Sequence, residues 1–503
     1  MKTTLRKLLL TAFFATGIIG AADAARLTVA QGFDAQTLWP NGTTNAVTYN
    51  VGTPIVESLF WLDPRNNKVT PLLATGYTQE TPTSIVVKLR PNVKFTNGEP
   101  MNADAVIHSF KILVDPKQTP AYTRYFEAFD KIEKIDDLTV RMTTLFPVPP
   151  MDLTLSLFFV VPPAYWNQVG QDEYGRKPIG TGPFKLERWV RDAEVVMKKN
   201  ETYWGESPAG FDELVFKPVP DDTARASGLL TGEYDIIKNL PVTSLDDVRK
   251  RANVSILSVG SNAIHSVLMS SLEEHKSPLQ DKRVRQAFNY AIDKKSIIDN
   301  LLFGNGVPLD GQLLRKTQLG YHPGLKDYPF DPKKAKELLA QAGYPNGFET
   351  TLKVPVGSQA QQQEVAEAVA GMLSAIGVKV NVSLIEGGEF LRQLRARELW
   401  PMGMSGSSPP DDPHFQMSQY HSTWRYAYMR NAELDKLIDD GKQEMDAEKR
   451  AAIYRKASEL VYEEAPGIFL YGGVDFWGVS KKVKNFGARG DGRFFFYGVS
   501  LER

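Results

Sequence analysis

Cysteine is absent from the 503-residue sequence. Its absence excludes disulfide bonds, thiol nucleophiles and thiolate metal sites. It also excludes a bacterial lipoprotein, because that class needs a cysteine at its cleavage site. The mature chain is therefore expected to be free in its compartment.

An excess of charge of either sign is also missing. Lysine and arginine together number 59, and aspartate and glutamate together number 59. A surface that binds nucleic acid requires clustered positive charge, and this balance does not favour one. We expect that the protein does not bind nucleic acid.

Long hydrophobic runs are missing beyond the N-terminus. The most apolar later stretch, LTLSLFFVVPPAYW, is broken by prolines after about ten residues, whereas a membrane-spanning helix needs about 20. We predict that this stretch forms part of a hydrophobic core.

The first 24 residues have the organisation of a cleavable signal peptide. A basic start, MKTTLRK, is followed by the apolar segment LLLTAFFATGIIG. Ala22-Asp23-Ala24 then gives the small-x-small pattern that precedes cleavage. An uncleaved membrane anchor is the alternative. The pattern favours export and, without a lipid anchor, a soluble protein of a Gram-negative periplasm.

The remaining chain is long enough for more than one hydrophobic core, since a single core stops growing near about 250–300 residues. Strand-like and helix-like patterns mix throughout it, and residues 47–175 have the pattern of a small α+β unit. Within that unit, Asn102 is placed to cap the helix that follows it.

Helices and strands alternate in the second half of the chain. Gly232 and Gly343 mark two helix ends. DKRVRQAFNYAIDKKSIIDNLL predicts one long amphipathic helix, and IFLYGG and FWGVS predict two separate strands. FETTLKVPV and VKVNVSLIE are extended stretches that each follow a helix, and this alternation favours a second α/β domain.

Glycine-rich and serine-containing segments do not form a complete catalytic motif. In RKPIGTGPFKLERW, residues 176–189, Lys185 stands where a dinucleotide fingerprint needs its third glycine, so we predict a tight turn that delivers a strand. GMSGS at 403–407 has Ser407 where a nucleophile elbow needs its second glycine. A secreted hydrolase using Ser405 is a remote alternative. We predict that the protein is not an enzyme.

The six histidines do not predict a metal site by their spacing. None of them forms a His-Glu-x-x-His pair. Asp411, Asp412, His414 and His421 offer metal ligands, but a solvated proline-rich loop explains them more simply. We predict neither a resident metal nor a cofactor.

Five segments, in order, resemble the family 5 extracellular solute-binding proteins of ABC importers for peptides, nickel, opines, glutathione and related solutes. They are TLWP…VESLFWLD, VVKLRPNVKFTNGEPMNADAVIHSF, PIGTGPFKLERW…KKNETYWG, KRVRQAFNYAIDKKSII and DPKKAKELLAQAGYPNGF. The resemblance extends from about Arg26 to the C-terminus.

The resemblance implies an α/β fold with two lobes and a hinge, the type II periplasmic binding-protein class with an extra α+β subdomain. Lobe I would comprise residues 25–262 and 477–503, with the subdomain at about 47–175. Lobe II would comprise residues 263–476. The lobes would close on a small-molecule ligand, and an inner-membrane ABC permease would recognise the closed form. A monomer is expected.

One departure from the family pattern concerns the solute. Peptide-binding relatives commonly carry Trp-x-x-Asp-x-x-Asp-Pro, whose first aspartate pairs with the ammonium group of the ligand. Here Asp412-Pro413 matches the end of the pattern, but Gly406 replaces the tryptophan and Pro409 the first aspartate. A buried ammonium needs a paired charge, so free-amine peptides are disfavoured. Substitution by Asp411 or Asp412 and a solvated turn are the two alternatives for this loop.

Chain position within the family layout predicts the ligand-binding residues. Trp424 and Arg425 combine an apolar wall with a guanidinium that suits a carboxylate, and an incidental exposed loop is the alternative. The other predicted residues, near the first strand, the first crossing and the end of a lobe II strand, are Phe33, Asp34, Thr37, Asn262, His265, Ser405, Gly406 and Ser407. For His265, and for Phe476 and Trp477 at the second crossing, packing in a core is the alternative.

We therefore expect a periplasmic protein that delivers a small polar organic solute to an ABC importer. A modified peptide such as glutathione, an opine, or a di- or oligopeptide is the expected class, and a carboxylate on the solute fits the first two best. Binding of a nickel chelate through His265, His414 or His421 is the alternative.

Overall fold

The computed structural model of the chain describes residues 25–43, 45–115, 122–355, 361–407, 412–424 and 426–502. The predicted signal peptide, residues 1–24, lies outside these ranges. Within them, no helix is both long enough and apolar enough to cross a membrane.

Strands and helices alternate along the chain. The strands of the described residues are β1 (Arg26–Gln31), β2 (Phe60–Leu62), β3 (Val69–Pro71), β4 (Ala74–Thr81), β5 (Ser84–Leu89), β6 (Phe129–Asp136), β7 (Thr139–Thr144), β8 (Phe184–Val190), β9 (Glu194–Lys199), β10 (Glu213–Pro218), β11 (Ile236–Ile237), β12 (Val254–Met269), β13 (Gly306–Pro308), β14 (Phe348–Pro355), β15 (Val378–Ile385), β16 (Met402–Ser407), β17 (Gly467–Ser480), β18 (Val483–Lys484) and β19 (Ser500–Leu501). The α-helices are α1 (Ala46–Gly52), α2 (Ala103–Val114), α3 (Met151–Leu155), α4 (Pro163–Arg176), α5 (Asp222–Thr231), α6 (Leu245–Arg249), α7 (Lys282–Ala291), α8 (Lys294–Leu301), α9 (Pro332–Gln341), α10 (Gln362–Ser374), α11 (Gly387–Ala396), α12 (Pro413–Met417), α13 (Ala432–Gln443) and α14 (Ala447–Glu464).

One large mixed sheet connects the two halves of the molecule. Its strands lie in the order β15-β14-β16-β12-β17-β11-β1-β10-β9-β8, and β13 also pairs with β17. The long strands β12 and β17 pair antiparallel, with a change of register between Gly260 and Ile264. On one side β12 pairs with β16, and on the other β17 pairs with β11. These two strands therefore join the two halves of the sheet.

A second sheet belongs to a smaller unit within residues 47–175. Its strands are antiparallel in the order β4-β5-β7-β6, and Ile85, Phe110 and Val140 belong to its own hydrophobic core. Asn102 caps α2, because its side chain accepts a hydrogen bond from the backbone N–H of Ala105 at 3.2 Å. The predicted helix cap is confirmed.

Separate hydrophobic cores lie on the two sides of the central strands. The core beside β1 and β10 joins the two ends of the chain, since Leu27 packs in one cluster with Trp477 and Phe494. The core beside β14 and β16 contains Phe288 and Leu352. More than one core is therefore confirmed, and Trp477 is fully buried. The residue boundaries of the lobes stay predictions.

Two of the secondary-structure predictions are wrong. The stretch predicted as one helix forms α7 and α8, because the backbone becomes extended at Ile292 and the side chain of Asp293 caps α8. IFLYGG and FWGVS belong to the single strand β17, because its pairing with β12 continues through the residues between them. Gly232 and Gly343 have positive φ values of 81° and 94° at or just after helix ends, as predicted.

The glycine-containing segment before β8 is a tight turn, as its sequence indicates. A Cβ atom at Gly180 would lie 1.9 Å from the carbonyl oxygen of Ile55, and one at Gly182 would lie 2.3 Å from that of Pro54. The N–H of Gly182 donates a hydrogen bond to Ile55 at 2.9 Å. The two glycines therefore permit a close backbone approach rather than binding a phosphate.

A buried carboxylate fastens this turn to the C-terminal segment. Glu57 accepts hydrogen bonds from the hydroxyls of Thr181 (2.7 Å), Tyr203 (2.7 Å) and Tyr497 (3.1 Å), and from the indole N–H of Trp204 (2.9 Å). Burial raises the pKa of Glu57 to about 6, although these four hydrogen bonds act in the opposite direction.

Candidate functional site

A cavity of about 740 Å³ lies where the end of β16 meets the C-terminal segment. Ser405 and Gly406 line it from β16, Asp491 and Arg493 from the C-terminal segment, and Tyr125 from the smaller unit. Small organic ligands commonly occupy pockets of about 300–1,000 Å³. Because its walls come from distant parts of the chain on both sides of the central strands, this cavity is the candidate ligand site.

Aromatic side chains cover much of the remaining wall. Trp424, Tyr426 and Tyr428 line the cavity on one side, and Trp424 and Tyr426 meet edge to face with ring centres 5.7 Å apart. Phe415 and Tyr125 also meet edge to face, at 5.0 Å. Such rings bury a large area at a small entropic cost, so the wall suits the apolar or planar part of an organic molecule.

Three of the predicted ligand-binding residues come together in this cavity. Ser405, Gly406 and Trp424 all line it. Ser407 ends β16 and pairs with Ile264 of β12. Arg425, predicted to bind a ligand carboxylate, lies outside the described residues.

Two further predicted residues have other surroundings. Asn262 lines a second cavity, of about 480 Å³, and its Oδ1 accepts a hydrogen bond from Arg315 at 2.7 Å. His265 stacks on Tyr471, with ring centres 4.5 Å apart and an angle of 19° between the planes. The geometry favours the packing alternative for His265.

Phe33, Asp34 and Thr37 line neither of these two cavities. Asp34 accepts a hydrogen bond from the indole N–H of Trp189 at 3.0 Å, and the hydroxyl of Thr37 donates to the carbonyl oxygen of Gly175 at 3.3 Å. Phe33 is 49% exposed. The segment after β1 therefore fastens the β8–β9 hairpin and α4, and the ligand contact of these three residues stays a prediction.

Asp412 is not part of a solvated turn, contrary to one of the two alternatives for its loop. Its carboxylate accepts two hydrogen bonds from Arg450, each 2.8 Å long, and the exposed fractions of the Arg450 and Asp412 side chains are 4% and 6%. It also caps α12 through the N–H of His414 at 2.9 Å. Because this carboxylate is already paired inside the protein, the structure also argues against the other alternative, in which Asp412 would pair with the ammonium group of a ligand. Asp411 and Pro409 lie outside the described residues.

His414 and His421 both line the cavity. Burial lowers the pKa of His414 to about 4, so its imidazole is neutral at neutral pH, and its Nδ1 has no hydrogen-bond partner among the described residues. His421 places Nε2 3.4 Å from the carboxylate of Asp439 and Nδ1 2.8 Å from the hydroxyl of Thr423. In the described part of the chain, no three His, Asp or Glu side chains converge as a metal site.

A charged cluster in the C-terminal segment was not among the predicted site residues. Arg493 donates a hydrogen bond to the hydroxyl of Tyr122 at 2.6 Å, and its guanidinium lies 4.3 Å from the ring centre of Tyr49. Asp491 accepts a hydrogen bond from Arg489 at 2.8 Å, and the same oxygen is 3.7 Å from Nε of Arg493. Burial alone would raise the pKa of Asp491, but the two guanidinium groups hold it below its usual value.

The comparison with known families identifies the role of such a cleft. Residues 68–427 match the model of the bacterial extracellular solute-binding proteins, family 5 Middle. The chain is a family 5 solute-binding protein. This family consists of binding proteins rather than enzymes, which weighs against the hydrolase alternative.

Several family 5 proteins resemble this one along most of their length. The glutathione-binding protein GsiB of Pectobacterium atrosepticum is 28% identical, over 97% of this chain and 96% of that protein. Heme-binding protein A of Haemophilus influenzae is 32% identical, over 83% and 80% respectively. The solved structure of the periplasmic binding protein DppA from Helicobacter pylori, in complex with the peptide STSA, matches with a TM-score of 0.80 at 25% identity, over 95% and 98%. The two-lobed fold is thereby confirmed.

In this family 5 protein, one ion pair joins the two sides of the cleft at its exposed rim. Lys442 of α13 donates a hydrogen bond to the carboxylate of Glu127 at 2.9 Å, and both residues line the cavity. Lys442 belongs to predicted lobe II, and Glu127 to the predicted subdomain of lobe I. Together with the contact between Tyr125 and Phe415, this pair bridges the cleft.

Proposed function

We propose that this protein is the periplasmic component of an ABC importer for a small polar organic solute that carries at least one carboxylate. A modified peptide such as glutathione, an opine, or a di- or oligopeptide belongs to this class. The solute enters the cavity between the lobes, and the closed complex delivers it to the inner-membrane permease. A ligand that contacts both lobes favours the closed state, because it binds that state more tightly than the open one.

The main support for the proposed solute class is the pairing of Asp412 with Arg450. A buried ligand ammonium needs a carboxylate, and Asp412 is already neutralised by two hydrogen bonds to a buried guanidinium. Recognition of a free amine at this loop would require that ion pair to break, which is costly in a buried environment. A solute recognised through its carboxylate avoids this cost.

The carboxylates that line the described cavity support the same conclusion. Each one lies beside a basic side chain: Glu127 with Lys442, Asp439 with His421 and Asp491 with Arg489. The aromatic wall adds apolar area for the rest of the solute. The cavity therefore suits an anionic or zwitterionic organic molecule better than a cationic one.

The ligands named for the relatives agree in one chemical respect. Glutathione, heme and the peptide STSA differ in size and shape, but each carries carboxylate groups. This common feature supports a carboxylate-bearing solute for the present cleft.

A nickel chelate is a second candidate. The observation in its favour is that His414 and His421 both face the cavity, with Nδ1 of His414 buried and unpartnered among the described residues. A neutral imidazole is the form that binds a metal. Stabilisation that requires nickel and disappears with a chelator would support this candidate.

The proposal is tested by thermal unfolding of protein that has been unfolded and refolded to remove any bound solute. The panel contains glutathione, octopine, alanyl-alanine, a disaccharide, and nickel with and without histidine. A ligand at about 100 times its Kd stabilises the folded protein by about 2.7 kcal/mol. At about 2–4 °C per kcal/mol, the expected rise in Tm is roughly 5–10 °C. A rise with glutathione or octopine supports the proposal. A rise with alanyl-alanine alone would contradict the argument from Asp412, and a rise with only the disaccharide or nickel contradicts the proposed solute class.

A further inference from the structure

Arg493 is held in a fixed position on the lobe I side of the cleft. Its Nη2 donates to Tyr122 at 2.6 Å, its guanidinium lies over the ring of Tyr49, and only 8% of its side chain is exposed. Tyr122 and Tyr49 are themselves buried. A guanidinium that is already ordered loses little conformational entropy when it binds a ligand.

The surroundings of Arg493 contain more positive than negative charge. Arg489 and Arg493 share the single carboxylate of Asp491, and Arg489 is the closer of the two, at 2.8 Å against 3.7 Å. Lys238 and Asp475 also interact electrostatically with Asp491, and their own opposite charges offset one another. Among these described side chains one positive charge is therefore left over beside the cavity, and a buried charge of this kind favours a counter-ion.

We propose that Arg493 is the residue that binds the carboxylate of the solute. The inference rests on the proposed function. It adds which residue binds the carboxylate of the solute and how the solute is oriented in the cleft. Arg493 offers a planar pair of N–H donors, which matches the two oxygens of a carboxylate. The ligand would be anchored on lobe I by its carboxylate and would meet Trp424 and Tyr426 of lobe II with its remaining atoms.

This arrangement also explains how one ligand could hold both lobes. The carboxylate subsite belongs to the C-terminal segment of lobe I, whereas Ser405 and Gly406 present the end of β16 on lobe II. A solute without a carboxylate would leave the extra charge of Arg493 uncompensated when the cleft closes. Specificity therefore follows from the cost of closing over the wrong ligand as well as from attraction to the right one.

The test measures Kd by calorimetry for glutathione, octopine and alanyl-alanine and for their carboxamide analogues. The proteins are wild type, Arg493→Gln, Arg493→Lys, Tyr122→Phe and Arg425→Gln. Arg188→Gln, on the exposed β8–β9 hairpin, is the matched control. Folding of each variant is checked by circular dichroism.

The expected result is that wild type prefers a carboxylate compound to its carboxamide, and that Arg493→Gln binds the carboxylate at least about 30-fold more weakly, the low end for truncating a buried charge pair. Arg493→Lys should recover part of the affinity. Tyr122→Phe should weaken binding several-fold, since it releases one N–H of the guanidinium. The control should bind as wild type does.

The possible failures are distinguishable. If wild type binds a carboxylate compound and Arg493→Gln binds it equally well, Arg493 is not the receptor, the proposed function stands, and Arg425→Gln shows whether that residue takes the role. If wild type binds the carboxamide as tightly as the carboxylate, the inference is overturned without any variant. If wild type binds none of the carboxylate compounds, the proposed solute class fails and the inference fails with it.

Discussion

The carboxylate of Asp412 and the guanidinium of Arg450 face each other through two parallel hydrogen bonds, each 2.8 Å long. Arg450 also donates from Nε to the carbonyl oxygen of Gly441 at 2.9 Å. The pair fastens the loop before α12 to α13 and α14, next to the cleft. The pair holds this loop in place. It also neutralises Asp412, which the sequence alone leaves as a candidate for binding the ammonium group of a ligand.

We predict that breaking the Asp412–Arg450 pair destabilises the protein strongly. Asp412→Asn leaves a buried guanidinium without its counter-charge, which costs about 3–5 kcal/mol. The double variant Asp412→Leu with Arg450→Met should be less destabilised than Asp412→Asn, because no uncompensated charge stays buried. Urea unfolding measures both. The control is Glu274→Gln, whose exposed pair with Arg430 should contribute less than about 1 kcal/mol. Equal effects of Asp412→Asn and Glu274→Gln would contradict the prediction.

We predict a pH-dependent contribution to stability from Glu57. Its pKa is raised to about 6 in the folded protein from 4.5, so the folded state binds the proton more tightly. Stability from this group is therefore fully present below about pH 4.5 and is lost as the pH rises to about 6. A difference of about 1.5 units corresponds to about 2 kcal/mol.

The variant Glu57→Gln isolates this contribution. Its amide oxygen can accept from Trp204 and Thr181, and its NH2 group can donate to the hydroxyls of Tyr203 and Tyr497. The free energy of unfolding of the variant minus that of wild type should increase by about 2 kcal/mol between pH 4 and pH 7. Denaturant titrations at several pH values measure it, with the exposed Glu187→Gln as control. A difference that does not change with pH would show that the carboxylate does not titrate in this range.

We predict opposite effects of alanine at two glycines. Gly180→Ala places a Cβ 1.9 Å from the backbone oxygen of Ile55, so either the turn at Gly180 or the segment at Ile55 must move, and a loss of about 2 kcal/mol or more is expected. Gly371→Ala, inside α10, meets nothing within 4 Å and should stabilise by about 0.5–1 kcal/mol. Thermal unfolding of both variants is the measurement. A tolerated Gly180→Ala would mean that the turn is not constrained by the close approach.

We predict that the pair of Glu127 and Lys442 favours the closed cleft only slightly. The two side chains are 58% and 26% exposed, so their coupling should be about 0.2–1 kcal/mol and should decrease as salt screens it. A double-mutant cycle with Glu127→Gln and Lys442→Gln measures this coupling energy. The ligand Kd is determined at 20 mM and 500 mM salt, where the screening lengths are about 20 Å and 4 Å. Coupling that is independent of salt would contradict an electrostatic origin.

The sequence predicts local features well where the physical cause is local. The caps at Asn102 and Gly232 depend on residues within a few positions of each helix end, and both are present in the structure. The resemblance of five short segments also predicts the two-lobed fold. By contrast, the continuity of β17 and the break between α7 and α8 depend on pairing and packing with distant parts of the chain, so the local patterns did not reveal them.

The candidate site is harder to predict from the sequence, because its residues are also brought together from distant parts of the chain. Arg450 lies 38 positions after Asp412, and no local pattern links the two. Arg493 belongs to RGDGR, residues 489–493, where alternating charges and glycines are the only signal. Its place at the cleft depends on the return of the chain through β17. The family layout predicts the positions of Ser405, Gly406 and Trp424 at and beyond β16, and all three line the cavity.

The core that joins both ends of the chain sets the order in which the protein can be completed during synthesis. Leu27 packs in one cluster with Trp477 and Phe494, so β1 leaves the ribosome about 450 residues before these last members of its core exist. At about 5–20 residues per second, that interval is roughly 20–90 s. During this time β1 can pair with β10 and β11, but its core lacks Trp477 and Phe494, so a nascent chain that stops before β17 cannot complete this core. This core is therefore complete only after the C-terminal segment has been translated.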